Sequence, residues 1–274
     1  MNPIRLFCTR REVEQVNGAE LLKVPGKAVR YSALDRFHLA KGHEKYLSCK
    51  NEKVRGDRDH LLAQTEHRYE TILSLKKDMP VILLTNIDVE RGLVNGAQGK
   101  IVGFKEYDEA DMPRLVNFDS SQYSVDDRNE RLVSTGVPTT GGSHFLLRHD
   151  QVQEFIDCAD RQCWPVVEFE NGETTPIHAI CDVQELGEDE PYSLLLRTQI
   201  PLQAAWAITI HKAQGMTLTS VEVDVSRTFE EGQVYVALSR ASTLGGLKVK
   251  GMRTGFACDS GNAEVHEWLW GSFR

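Results

Sequence analysis

The chain of 274 residues is 41% hydrophobic and 26% charged, which is typical of a soluble globular protein with one large domain or two small ones. It has no run of 18 apolar residues and no signal-peptide core at its start, so neither a transmembrane helix nor a secretory signal is predicted. The net charge of −8 is uneven: residues 1–75 carry +4, residues 76–197 carry −12 and residues 198–274 are neutral. The two flanking segments therefore tolerate an anionic polymer better than the middle does.

The first predicted elements are a strand and a helix. Residues 4–8 form a short apolar run, as expected of a strand. Thr9 and Glu12 then make a capping box, in which the Thr9 hydroxyl accepts a hydrogen bond from the Glu12 amide. The helix is expected to end at Pro25, whereas residues 31–70 are polar and only weakly periodic.

The middle of the chain predicts short strands separated by tight turns. Strands are expected at 79–84, 99–104 and 164–169, with glycine- and asparagine-containing turns at 92–96 and 171–172. This pattern is typical of a small β-barrel of about 110 residues.

The last third returns to an α/β pattern. The apolar run 205–210 predicts a strand covered on both faces, and the valines of 221–225 predict another. A second capping box at 228–231 predicts a helix that runs to Ala241, followed by a strand at 247–249. An α/β domain of residues 1–75 and 198–274, interrupted by a β insertion at 76–197, accounts for this order.

Four segments resemble motifs of the Pif-one (petite integration frequency) family of superfamily-one DNA helicases. Residues 205–218, AWAITIHKAQGMTL, resemble motif V of the family. Residues 229–241, FEEGQVYVALSRA, resemble motif VI. Residues 92–96, GLVNG, are similar to the start of the family's inserted barrel domain, and residues 6–13, LFCTRREV, are similar to motif IV. The resemblance spans almost the whole chain.

The family resemblance implies a motor of two RecA-like domains, with ATP and Mg²⁺ between them and single-stranded DNA across both, moving 5′ to 3′. The expected fold is α/β: the second RecA-like helicase domain, in 1–75 and 198–274, interrupted at 76–197 by a small Src-homology-three-like β-barrel insertion. The resemblance further implies DNA repair, recombination, and telomere or mitochondrial genome maintenance, in the nucleus or mitochondrion. No membrane partner is expected.

The chain lacks the phosphate loop that such a motor needs. GxxxxGK[ST] occurs nowhere, and the Gly99-Lys100 pair is followed by Ile101. ATP and Mg²⁺ are therefore not expected to bind firmly to this chain alone. Three interpretations stay open: the carboxy-terminal part of an ATP-dependent helicase, a non-enzymatic single-stranded-DNA-binding module, or a partner of another chain that supplies the first RecA-like domain.

The candidate nucleotide-binding residues come from motifs V and VI. By resemblance, Arg240 is the arginine finger, because a guanidinium stabilises the charge that develops on a transferred phosphoryl group; the alternative is a surface arginine on a helix. Gln214 and Gly215 end the motif V loop, where glycine permits close backbone approach to a ligand; the alternative is an ordinary turn. Gln233 either senses the nucleotide or links the helix to the cleft, or it is a polar residue at a helix start.

The candidate DNA-binding residues are Thr209, His211 and Lys212. They follow a buried strand at the end where α/β sheets place their ligand loops. A hydroxyl, an imidazole and an ammonium can each bond a DNA backbone, and the ammonium makes that binding salt-dependent. Arg10 and Arg11 follow the first strand and either face the cleft or DNA or are ordinary residues of the first helical turn, where cations oppose the macrodipole.

Cysteine spacing predicts no disulfide scaffold and no metal site. The six cysteines include no CxxC pair, and reduced thiols in an intracellular protein are expected. Cys158, Cys163, His178 and Cys181 are spaced too loosely to predict zinc ligands.

Overall fold

The structure is a computed structural model that describes residues 3–38, 40–41, 50–51, 60–61, 67–107, 144–158, 163–186, 192–224 and 232–251. The helices of these residues are α1 at Arg10–Lys23, α2 at Phe145–Asp157 and α3 at Gln233–Leu238. The strands, numbered in chain order, are β1 Ile4–Phe7, β2 Val29–Ser32, β3 Leu34–His38, β4 Lys50–Asn51, β5 His60–Leu61, β6 Ile72–Leu75, β7 Pro80–Leu83, β8 Gln98–Glu106, β9 Cys163–Phe169, β10 Thr174–Pro176, β11 Ile180–Leu186, β12 Ser193–Gln199, β13 Leu202–Ala204, β14 Ala207–Thr209, β15 Val221–Asp224 and β16 Leu247–Lys250.

The chain divides into two compact units whose boundaries differ from the predicted domains. Unit 1 consists of Met1–Pro25, Met79–Gly99 and Ala204–Arg274, and unit 2 of Gly26–Asp78 and Lys100–Gln203. The predicted segments were 1–75, 76–197 and 198–274. The difference arises because β2 pairs with β6 and β3 pairs with β12, so these three early strands belong with the middle of the chain. Composition reports where charge changes along the sequence, and not which distant strands pair.

Unit 1 contains a parallel sheet, in accordance with the predicted α/β class. Its strand order is β14-β1-β15-β16, and every neighbouring pair is parallel. The strand side chains that form its core are at most 2% exposed: Ile4, Leu6, Ala207, Ile208, Val221 and Val223. Helix α1 is tied to the edge strand by Asn17, whose side-chain amide donates to the Ala207 carbonyl and accepts from the Ala207 amide, both at 2.9 Å.

The ends of the two helices of unit 1 follow local rules. Thr9 caps α1 as predicted, since its Oγ1 accepts from the Glu12 amide at 3.4 Å and donates to a Glu12 carboxylate oxygen at 2.7 Å. The predicted capping box at 228–231 lies outside the described residues. The described helix α3 follows Gly232, whose φ is 77°, and ends at Leu238, before the predicted Ala241.

A hairpin-like segment of unit 1 follows β7. The Gly96 amide donates to the Leu83 carbonyl at 2.8 Å, and the Leu83 amide donates to the Ala97 carbonyl at 2.9 Å. Gly96 has a φ of 94°, and a Cβ added to it would lie 3.0 Å from the Met216 Cβ. Glycine is therefore needed here both for the turn and for the approach of residue 216.

Unit 2 consists of antiparallel strands with one helix. Neighbouring strands within unit 2 follow the orders β11-β12-β3, β10-β9-β8, β2-β6 and β4-β5, and α2 packs on β11 and β12. The predicted Asn171-Gly172 turn joins β9 to β10, with Gly172 at a φ of 88°. In the part of the chain that the structure describes, no sheet closes into a barrel, since no strand order returns to its first strand.

Candidate nucleic-acid interface

The candidate site lies where two adjacent parallel strands of unit 1 end. Phe7, the last residue of β1, is aligned with Thr209, the last residue of β14. The Ile210 amide donates to the Phe7 carbonyl at 2.9 Å, which extends this alignment by one residue. The segment after Phe7 and the segment 209–216, here called the motif V loop, therefore leave the sheet side by side, at the edge where parallel sheets place ligand loops.

Thr209 organises the motif V loop from inside. Its side chain is only 5% exposed, and its Oγ1 accepts a hydrogen bond from the Lys212 amide at 3.2 Å. Its carbonyl accepts from the Ala213 amide at 3.0 Å. The predicted contact of the Thr209 hydroxyl with DNA is not what this geometry favours, because the hydroxyl is buried and caps the turn that presents the next residues.

The next residues of the loop face outward. His211 and Gln214 are exposed and Lys212 is half-buried. The Gln214 amide donates to the His211 carbonyl and the Met216 amide to the Ala213 carbonyl, both at 3.1 Å, so the loop is a series of tight turns. The ammonium and the imidazole thus sit on a compact backbone at the end of the sheet, as the sequence predicted.

Gly215 is explained by backbone conformation. It has a φ of 76°, which side chains rarely adopt, and a Cβ added to it would meet no atom within 4 Å. This supports the alternative of a turn glycine, and its predicted contact with a nucleotide stays a prediction.

Arg240 brings motif VI onto the motif V loop. Its Nε donates to the Val236 carbonyl at 2.9 Å, and its Nη2 donates to the Ser239 hydroxyl at 2.9 Å. Its Nη1 donates to the Met216 carbonyl at 3.3 Å and to the Ala213 carbonyl at 3.5 Å. The two motifs that the sequence singled out are therefore neighbours, and Arg240 is neither a free surface arginine nor directed only at solvent.

Gln233 is placed differently from the exposed loop residues. It is the first residue of α3 and is 5% exposed, so its side chain is inside unit 1. This position fits the alternative of a polar residue at a helix start. Its nucleotide role stays a prediction.

Several contacts of the site were not predicted. The roles of Ser239 and Val236 have a local signal, because residues four apart share a helix face and Ser239 adjoins Arg240. The contacts of Arg240 with Ala213 and Met216 join residues 27 and 24 positions apart, and no periodicity indicates them.

The described residues contain neither a cluster of metal-binding side chains nor a membrane-spanning helix. Among the described residues, no group of three or more His, Cys, Asp or Glu side chains is arranged to hold a metal ion. Burial raises the pKa of the Cys181 thiol to about 12, and a protonated thiol is a poor ligand. In the same described part of the chain, no helix is long and apolar enough to cross a membrane.

Comparisons with known proteins agree with the resemblance of the motifs. The family described as DNA helicase Pif1, 2B domain, matches residues 68–104. The ATP-dependent DNA helicase Pif1 of Psychrobacter sp. is 32% identical over 254 residues, which is 92% of this chain and 34% of that protein. The ATP-dependent DNA helicase RRM3 of Saccharomyces cerevisiae is 33% identical over 269 residues, which is 90% of this chain and 34% of that protein. The human ATP-dependent DNA helicase PIF1 is 32% identical over 245 residues, which is 89% of this chain and 26% of that protein.

Solved structures show the same relationship. The Pif1 helicase of Candida albicans is 26% identical, with a TM-score of 0.59 over 99% of this chain and 50% of that chain. Unliganded Pif1 from Bacteroides sp. is 20% identical, with a TM-score of 0.57 over 99% of this chain and 45% of that chain, which shows a shared fold. The mixed α/β fold is thus confirmed, and the chain belongs to the Pif1 family of superfamily-one DNA helicases.

Proposed function

We propose that this chain is the carboxy-terminal part of an ATP-dependent 5′-to-3′ DNA helicase, and that unit 1 is its second RecA-like domain. The observation that carries the proposal is the joining of motifs V and VI at one end of a parallel sheet, through Arg240. The relatives are named ATP-dependent DNA helicases, and the chain spans about a third of their length. In this proposal unit 2 contains much of the family's inserted barrel domain; of the matched residues 68–104, residues 68–78 and 100–104 lie in unit 2 and residues 79–99 in unit 1.

The proposed DNA-binding residues are Lys212 and His211, with Arg10 and Arg11 beside them. Arg10 and Arg11 are exposed in the first turn of α1, which follows β1, while Lys212 and His211 follow the adjacent strand β14. The two guanidinium groups of Arg10 and Arg11 and the ammonium group of Lys212 therefore follow neighbouring strand ends of the sheet. Unit 1 has equal numbers of basic and acidic residues, so the net charge of −8 resides in unit 2. Single-stranded DNA is expected on unit 1 for this reason.

The nucleotide would be shared with a domain that carries the phosphate loop. ATP and Mg²⁺ supply the phosphoryl group and its charge neutralisation in such an enzyme. Arg240 of this chain would contribute a guanidinium to the phosphates, near Gln214 and Gly215. Tyr235 on α3 is 77% exposed, which suits a surface covered by another domain.

The alternative is a DNA-binding module, or a partner in trans, that keeps the fold without a motor of its own. The residues of motifs V and VI are the same in each of these interpretations, so the sequence does not separate them. Steady-state ATPase measurements on the chain, alone and mixed with a phosphate-loop domain of a relative, separate these possibilities. By family resemblance, the helicase interpretation carries roles in DNA repair, recombination and telomere maintenance, in the nucleus or mitochondrion.

The DNA-binding proposal is tested by titrating a labelled single-stranded oligonucleotide at several salt concentrations. Binding without sequence preference is expected at about 10⁻⁴–10⁻⁶ M. Lys212→Ala should lower the salt slope by about 0.7, which corresponds to about fivefold weaker binding at about 0.1 M salt. His211→Ala should weaken binding with an unchanged slope, because a neutral imidazole releases no counterion.

Lys23→Ala is the matched control. It removes the same charge from the last turn of α1, at the opposite end of that helix from Arg10. Its slope and affinity should equal those of the unsubstituted chain. Equal curves for Lys212→Ala and Lys23→Ala, with both proteins folded, would show that the motif V loop does not bind DNA.

A further inference from the structure

We propose that Arg240 is a positioning residue for DNA binding: it fastens the motif V loop to helix α3 and so fixes Lys212 where it meets the DNA backbone. The inference rests on the proposed function, since it requires that Lys212 contacts DNA. It gives Arg240 a role that needs no nucleotide, and that this chain can perform without a phosphate-loop domain.

The guanidinium is first anchored on its own helix. Nε donates to the Val236 carbonyl at 2.9 Å, and Nη2 donates to the Ser239 Oγ at 2.9 Å. The Ser239 hydroxyl itself donates to the Val236 carbonyl at 3.0 Å, so its lone pairs are available to Arg240. These contacts fix both the position and the plane of the guanidinium.

The remaining side of the guanidinium reaches the motif V loop. Nη1 lies 3.3 Å from the Met216 carbonyl oxygen and 3.5 Å from that of Ala213. Both carbonyls belong to the turns that follow Lys212, and the Ala213 amide is bonded to the Thr209 carbonyl at 3.0 Å. The backbone at Lys212 is thus held between the sheet on one side and Arg240 on the other.

The backbone of Arg240 provides a separate connection that a side-chain substitution leaves in place. The Leu218 amide donates to the Arg240 carbonyl at 2.8 Å, and the Ser242 amide donates to the Leu218 carbonyl at 2.9 Å. Replacing the side chain therefore releases residues 213–216 while the pairing of the segments around Leu218 and Ala241 persists.

Only a planar fork can make this link. A guanidinium offers five N–H groups in fixed directions, whereas the lysine ammonium is a compact point charge that cannot span two carbonyls on the loop and two acceptors on the helix. Arg240→Lys therefore keeps the charge and removes the connection. Arg240→Ala removes both.

The test measures oligonucleotide affinity and its salt slope for Arg240→Lys and Arg240→Ala. Both variants should bind about twofold to fivefold more weakly at about 0.1 M salt, the upper bound being the whole contribution of one phosphate contact. The salt slope should be unchanged in both variants, because in the bound state Lys212 still contacts the phosphate and Arg240 contacts none. Arg91→Lys, the same change at a position of unit 1 outside the loop and α3, should bind like the unsubstituted chain.

A double substitution shows whether the effect passes through Lys212. In a Lys212→Ala background, Arg240→Lys should have a smaller effect than in the unsubstituted chain, since Lys212 is gone and only His211 of the loop still contacts DNA. Hydrogen exchange at the amides of Ala213, Gln214 and Met216 should be faster in Arg240→Lys, while exchange in β1 and β15 is unchanged.

The outcomes separate this inference from the proposed function. If Lys212→Ala binds normally, the DNA-binding proposal fails. If Lys212→Ala is weakened but folded Arg240→Lys binds normally, only the positioning role of Arg240 is overturned. A slope lowered by about 0.7 in Arg240→Ala and retained in Arg240→Lys would make Arg240 a direct phosphate contact and also overturn it. If both Arg240 variants unfold, Ser239→Ala provides the test, because it removes only the hydrogen bond from Arg240 Nη2 to the Ser239 hydroxyl. The proposal requires that the Ser239→Ala variant bind the oligonucleotide more weakly than the unsubstituted chain.

Discussion

At the scale of residues, Asp35 and Arg197 form an ion pair that is closed to solvent in unit 2. Arg197 Nε and Nη2 donate to the two Asp35 carboxylate oxygens at 2.8 and 3.0 Å, and Nη1 donates to the Tyr69 carbonyl at 2.9 Å. Both side chains are 1% exposed. The two residues stand opposite each other in the β12–β3 pair, so the bond also marks the register of these strands.

We predict that Asp35→Asn lowers the free energy of unfolding by about 3 kcal/mol, because it leaves the Arg197 charge buried without its counterion. The double variant Asp35→Leu, Arg197→Met should be more stable than Asp35→Asn, since no uncompensated charge remains. Urea unfolding of the three proteins provides the comparison. A double variant that is less stable than the single one would contradict this account of the pair.

Residues whose partners are close along the chain could be predicted from the sequence. Thr9 was identified as a helix cap because its partner Glu12 is three positions away. The positions of His211 and Lys212 followed from the end of an apolar run. Asp35 and Arg197 are separated by 162 positions, and neither has a local pattern that announces burial. Their pairing depends on tertiary structure.

At the scale of elements, the approach of two backbones fixes the turn before β16. The 3₁₀ turn Leu244–Gly246 leads into that strand. A Cβ added to Gly246 would lie 2.1 Å from the Thr219 carbonyl oxygen, which is a backbone atom and cannot rotate away. The neighbouring Gly245 has no atom within 4 Å of such a Cβ.

Gly246→Ala should therefore destabilise the protein by about 1–3 kcal/mol, the usual result of forcing a methyl group into a filled space. Gly245→Ala is its matched control and should change the stability by less than about 1 kcal/mol. Thermal or urea unfolding of both variants tests the difference. If Gly246→Ala were as mild as Gly245→Ala, the backbone at Thr219 would move aside readily and this account of Gly246 would be wrong.

Strands were predicted correctly where apolar and polar residues alternate along them. The strand at 221–225 was predicted from alternating valines, and its described part is Val221–Asp224. The strand at 205–210 is shorter than expected, at Ala207–Thr209, because the apolar residues before it belong partly to a bend. An apolar run indicates burial, but burial alone does not require strand geometry.

At the scale of the whole molecule, the division into units follows strand pairing and not charge. Residues 26–78, although more basic than the middle segment, supply β3 to the sheet of β11 and β12. Excising 76–197 would therefore leave β3 without its partner. An excision that follows the structure must take 26–78 together with 100–203.

The chain alone is predicted to have no DNA-stimulated ATPase activity. The physical reason is that phosphoryl transfer depends on backbone amides and a lysine around the phosphates, and GxxxxGK[ST] is absent from this sequence. A coupled steady-state assay with excess single-stranded DNA measures it. Turnover above background that disappears in Arg240→Ala would contradict the prediction.

The parallel sheet of unit 1 has a consequence for the order of folding. Strand β1, at the start of the chain, pairs with β14 and β15, and Arg5 bonds to the Trp206 carbonyl across 201 positions. During synthesis at about 5–20 residues per second, β1 must wait on the order of 10–40 s for its neighbours. Its apolar residues are unpaired throughout that time, whereas all strands of unit 2 precede residue 204. Unit 2 can therefore fold first, and the sheet that carries the candidate site is completed last.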